Sequence, residues 1–72
     1  MAYQTFLVRP DHWEIRCTSY GPITHIQRHA DGTFTIQEDP DGQIFQPNEF
    51  NLAEGRARQI GQDPDLVAAK QI

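Results

Sequence analysis

Three groups of residues in this chain are of types that do chemistry: the imidazoles of His25 and His29, the carboxylates of Asp39-Pro40-Asp41-Gly42, and the lone thiol of Cys17. The two histidines are four apart. On a helix that spacing sets both rings on one face, where they can share a metal ion. On a strand, at about 3.3 Å per residue, they stand roughly 13 Å apart and cannot. The residues from Ile23 to His29 are of strand-forming types, so the spacing points away from a metal centre. The Asp39–Gly42 segment aligns on the glycine of an EF-hand loop. Position one would then be Gln37 and position twelve Asn48, so the two carboxylates on which such a loop most depends are missing. The segment reads as a hairpin turn instead.

Cys17 keeps step with Trp13 and Ile15 in a strict alternation, which places it on an inward face. There the thiol would be protonated and inert. Ser19 lacks the strand-turn-helix setting of a nucleophile elbow, and Asp11-His12 falls at a turn rather than in a catalytic pair. None of the five glycines opens a phosphate-binding helix. A chain of 72 residues also leaves little room for a pocket of the usual several hundred Å³. The expectation is a protein that is not an enzyme and needs no cofactor, metal or small-molecule substrate.

The elements that would position these residues are mostly strands. Asp-Gly occurs at 31–32 and 41–42, each time between runs of strand-forming residues. The dipeptide suits the positive φ values of a two-residue type I′ hairpin, so two copies ten residues apart predict three consecutive antiparallel strands. Upstream, Tyr3–Arg9 reads as a strand, Pro10 fits the first central position of a type I turn, and Trp13–Thr18 alternates as a half-buried strand. Ser19-Tyr20-Gly21-Pro22 turns the chain. Ile23 and Ile26 differ in parity, which predicts a bulge or a late strand start near Thr24. Phe34 and Ile36 lie inward on a strand from Thr33 to Glu38, and Gln43–Gln46 is a short fifth strand closed by Pro47.

The rest is helical. Asn51 as N-cap with Glu54 three residues on resembles a capping box, and Leu52, Ala53, Ala57 and Ile60 share one side. Gly61 is a C-terminal stop, and Asp63-Pro64 starts a second, shorter helix. The whole is a single α+β domain over 1–72, with a meander sheet over 3–46 and helices at about 51–60 and 64–71. Its core should gather Phe6 or Leu7, Trp13, Ile15, Ile26, Phe34, Ile36 and Phe45 against Leu52 and Ile60, with Tyr3, Tyr20 and Phe50 as candidates for an exposed aromatic patch.

Composition limits the function. The net charge is −4, and it is uneven. Residues 1–30 carry Arg9, Arg16 and Arg28 against Asp11 and Glu14, net +1; residues 31–65 carry eight carboxylates against Arg56 and Arg58, net −6. Turn and capping chemistry accounts for acidic residues at such places, and an acidic face for a basic partner is the functional alternative. There is no apolar run of membrane-spanning length and no signal-peptide pattern, and the single thiol suits a reducing compartment, so a cytoplasmic protein is expected. The initial Met suggests a complete small gene product.

A core this small invites help from a dimer or a partner. The leading expectation is therefore a non-catalytic protein-interaction module that binds a partner protein or itself. Tyr20 and Phe50 would be its aromatic anchors, and Asp39, Asp41, Glu49 and Glu54 its charged contacts. One form of this is an inhibitor of the phage or mobile-element type whose acidic half imitates nucleic acid. Another reading is a nucleic-acid-binding sheet using Arg9, Arg16 and Arg28, against which the acidic balance weighs. The open first or fifth strand could also pair with another chain.

Overall fold

The computed structural model describes residues 3–17 and 21–62. Tyr20 and the expected helix at 64–71 lie outside the described residues. The chain runs β1 (Tyr3–Arg9), β2 (His12–Cys17), β3 (Gly21–Arg28), β4 (Phe34–Ile36), β5 (Ile44–Phe45) and α1 (Phe50–Gly61). The strands form one antiparallel sheet in the order β1-β2-β3-β4-β5, an α+β meander as the sequence implied. The helix lies across β3, extends over β2, β4 and β5, and reaches β1 through a hydrogen bond from Thr5 to Glu54.

Register assigns the faces. Ile15 pairs with Thr24 and Trp13 with Ile26; Ile26 pairs with Ile36, and Phe34 with Phe45. These side chains meet Ala53, Ala57 and Ile60 of the helix to make the core. Two alanines at the crossing let the helix come close to β3, where the buried Thr24 hydroxyl donates to the Ala57 carbonyl at 3.2 Å. Trp13, Phe34 and Phe50 pack as tilted and edge-on rings, with centroids 4.9–5.8 Å apart. The β2–β3 register skips Ile23, which is the bulge that the parity of Ile23 and Ile26 implied.

Several local expectations are corrected. Phe6 and Leu7 are exposed on β1, and Leu52 is 58% exposed, so none of the three belongs to the core. Leu52 stands one position off the stripe of Ala53, Ala57 and Ile60, about 100° around the helix. Asn51 is not the N-cap. The helix begins at Phe50 with Glu49 as N-cap, and the Glu49 carboxylate reaches back to the Gln46 amide at 2.7 Å. Gly61 is the last helical residue rather than the stop, and Gln62 caps in a helical conformation.

Neither Asp-Gly pair forms a type I′ turn. Only the glycines, Gly32 at φ 89° and Gly42 at φ 61°, are left-handed. Their amides bond back to the His29 and Asp39 carbonyls, at 2.9 and 3.3 Å. Each is therefore a turn across Ala30-Asp31 or Pro40-Asp41 that a left-handed glycine closes. Pro40, with its fixed negative φ, forbids type I′ at its position. The β1–β2 connection is not type I either, since Asp11 has φ 66° where that turn needs a negative value.

Candidate functional site

The residues picked out as partner contacts are mostly engaged inside the molecule. Asp39 begins the second turn with a side chain that is 0% exposed. Its Oδ1 accepts from the Asp41 amide at 3.0 Å and its Oδ2 from the Gln43 amide at 3.2 Å, and an Arg56 Nη2 stands 3.3 Å away. Burial works against its ionisation, but the Asp41 and Gln43 amides and then Arg56 outweigh it and hold its pKa below the usual carboxylate value. Asp41 is the exposed member of this group, and Arg56 bridges it at 3.2 Å. Glu54 accepts from Thr5 at 2.6 Å and stands 4.0 Å from Arg58. Phe50 is half-buried against Trp13 and Phe34, and Tyr3 packs against the core. These two rings do not join in an exposed aromatic patch.

A polar cluster that the sequence did not reveal occupies the sheet face opposite the helix. Glu14 pairs across β2–β3 with His25, and the Glu38 carboxylate approaches from beyond β4. One Glu38 oxygen accepts the His25 backbone amide at 2.7 Å, and the other lies 2.6 Å from the ring Nδ1. On the far side of the ring, Nε2 is 3.8 Å from Glu14, which also holds Arg16 at 2.8 Å. His12 lies alongside with its ring centroid 5.6 Å from that of His25. Strand β4 is only three residues long, and the Glu38 side chain takes over as hydrogen-bond partner where the β3–β4 ladder ends. His29, which the strand spacing sets apart from His25, bonds to Thr35 at 2.7 Å. Among the described residues no three His, Cys, Asp or Glu side chains are placed to hold a metal ion. With a carboxylate at each ring nitrogen, the arrangement ties β2, β3 and the end of β4 together.

Open grooves mark the surface of the described residues. One, of about 430 Å³, runs between β5 and the helix, lined by Phe45, Leu52, Gly55 and Arg56. Another, of about 520 Å³ at the β1–β2 turn, is polar; there Arg28 is bound to Asp11, with Nε 2.7 Å from Oδ1. Cys17 is buried, as its alternation implied. No described helix is long and apolar enough to cross a membrane.

The remaining surface feature is β1 itself. Among the described residues it pairs only with β2, which leaves its outer edge without a strand partner there. Leu7, on the helix side, is 64% exposed, and Phe6, on the opposite side, is 38% exposed with Arg16 stacked over its ring at 4.6 Å. No charge occurs between Tyr3 and Val8. At the other edge, β5 has two residues and lies between Asp39-Pro40-Asp41 and Pro47, the usual means of blunting a sheet edge. No family model matches this chain, and comparison with curated proteins and with solved structures finds no match either.

Proposed function

We propose that this chain is a small, non-catalytic protein-interaction module that engages its partner through the open edge of β1. The observation that carries this reading is the long uncharged edge with two exposed apolar side chains, one on each face. An edge strand offers backbone donors and acceptors for affinity, and alternate side chains for specificity. Natural proteins blunt such edges with charge or proline; β5 lies between such residues, whereas at β1 they come only at the strand's end, with Arg9 and Pro10. The engagement of Asp39, Glu49 and Glu54 in the turn, the helix start and the Thr5 contact supports turn and capping chemistry as the role of the acidic half. Of the four carboxylates expected as contacts, Asp41 is then the exposed one left for mimicry of nucleic acid. Glu14 and Glu38 on the open face weigh against a nucleic-acid platform there.

The test is affinity capture with the wild-type chain and with Leu7→Lys, each checked for an unchanged circular dichroism spectrum. Loss of captured protein in the variant supports the reading. Capture that survives both Leu7→Lys and Phe6→Lys, but fails when Asp41 and Glu54 are neutralised, overturns it in favour of the acidic surface.

A further inference from the structure

The geometry points to a second copy of this chain as the occupant of the β1 edge, in an antiparallel pairing with its two-fold axis at Thr5. This rests on the reading of β1 as a contact edge and adds who makes the contact. The regular part of β1 ends at Leu7, because the register with β2 jumps between Leu7 and Arg9 and leaves Val8 as a bulge. A bulge twists an edge away and terminates pairing. The span left to a partner is therefore Tyr3–Leu7, whose centre is Thr5.

Paired with itself about that centre, Tyr3 faces Leu7 of the second copy and Gln4 faces its Phe6, while Thr5 meets Thr5. An even register keeps every residue on its own face, so Tyr3, Thr5 and Leu7 stay on the helix side and Gln4 and Phe6 on the open side. Aromatic–aliphatic and Thr–Thr pairs are among the favourable cross-strand pairs. Both exposed apolar residues of β1 are covered, each by a residue of the other copy. No charged strand residue meets another, although each chain carries −4 overall.

One like-charge approach remains, and it makes the proposal specific. Glu54 overhangs Thr5 on the helix side, with its carboxylate 2.6 Å from the Thr5 hydroxyl, so the axis brings two Glu54 carboxylates towards each other. Arg58, 4.0 Å from each, offsets this in part. Salt should therefore tighten the pair and not loosen it, and Glu54→Gln should tighten it more. An edge of five residues buries less than the roughly 1,200 Å² of stable complexes, so the dissociation constant belongs above about 1 μM.

Sedimentation equilibrium of the full chain from about 10 μM to about 1 mM tests this. The expected result is a monomer–dimer equilibrium that Leu7→Lys weakens at least about tenfold and Glu54→Gln strengthens, with Gln4–Leu7 amides protected from exchange at high concentration. A wild-type chain that stays monomeric at the top of the range overturns the self-pairing. So does a dimer that neither Leu7→Lys nor Phe6→Lys weakens. If the chain is monomeric while Leu7→Lys still loses a captured protein, self-pairing falls and the edge reading stands; if Leu7→Lys and Phe6→Lys alter neither readout, both fall.

Discussion

Replacing Asp39 with asparagine changes one oxygen to an amide and tests how the second turn is held. The carboxylate accepts two backbone amides, one on each oxygen, and faces Arg56. Asparagine keeps one acceptor. With its carbonyl on the Asp41 amide, its own NH₂ group confronts the Gln43 amide, donor against donor. One charge-assisted bond is lost, at a cost of about 1.5–3 kcal/mol. Gln43 is exposed, so water relieves part of this, which places the cost at about 1.5–2 kcal/mol. In a domain of this size that lowers Tm by roughly 6–16 °C. Urea melts followed by Trp13, the only tryptophan, should show the midpoint falling with no change in slope. Asp41→Asn is the control: its side chain is 76% exposed and its ion pair with Arg56 is a surface one, so it should cost under about 1 kcal/mol.

The pH dependence supplies a second readout with a definite sign. Folding holds the Asp39 pKa below its ordinary value of 3.8, so the folded state favours the ionised form. The stability this contributes is complete above about pH 4 to 5 and is lost as pH falls through the lower folded value. The gap between wild type and Asp39→Asn should thus be widest at neutral pH and narrow below about pH 4. Equal midpoints at pH 7, or a gap that keeps its full size in acid, would refute this account of the turn.

Three glycines should respond to alanine in a fixed order that thermal melts can read. Gly32→Ala should destabilise most, by about 2 kcal/mol, because φ is 89° and the new Cβ would meet Pro47 Cγ at 3.1 Å. Gly42→Ala, left-handed but with open space around it, should cost about 1 kcal/mol. Gly55→Ala, in the helix with nothing within 4 Å, should instead stabilise by about 0.5–1 kcal/mol. Thr24→Val should cost no more than about 1 kcal/mol in urea melts, because the Ala57 carbonyl that loses the hydroxyl already lies in a helical ladder. If the β1 edge pairs with a second copy, Tm should rise with protein concentration and cease to do so in Leu7→Lys.

The fold was legible wherever a residue's local preference and its tertiary environment agree. Alternation in Trp13–Cys17 named an inward face that the register with β3 bears out, and the parity of Ile23 and Ile26 located the bulge. The turns were placed correctly but their geometry was not. Asp-Gly is compatible with two hairpin constructions, and the hydrogen bonds that the Asp39 and Asp31 carboxylates accept from the amides two residues on favour the one in which aspartate keeps an ordinary φ. Strand β1 lies where the sequence placed it, over Tyr3–Arg9, but its exposure escaped the reading for a different reason. Phe6-Leu7-Val8 suggests cover on both faces, yet the single helix of the described residues crosses β3 and leaves Leu7 open. The Glu14–His25–Glu38 cluster was invisible because its members are 11 and 13 residues apart, joined by register alone.

The two sheet edges therefore differ by more than length. At β5 the flanking residues also serve the fold: Asp39 fixes the turn and Arg56 ties that turn to the helix, while Ile44 of the two-residue strand is 61% exposed. At β1 the comparable features, Arg9, Pro10 and the Val8 bulge, are confined to the end of the strand. It is held by the ladder to β2, the Thr5–Glu54 bond, Tyr3 against the core and Arg16 over the Phe6 ring, while Leu7 stays 64% exposed. A mutation–selection argument alone would let a charge arise at Leu7 at almost no cost to the monomer, since a surface substitution there falls within about 0.5 kcal/mol. Leucine at that position makes physical sense when its exposed face is covered by another strand, and the Thr5-centred register is an arrangement that covers it with residues this chain already carries.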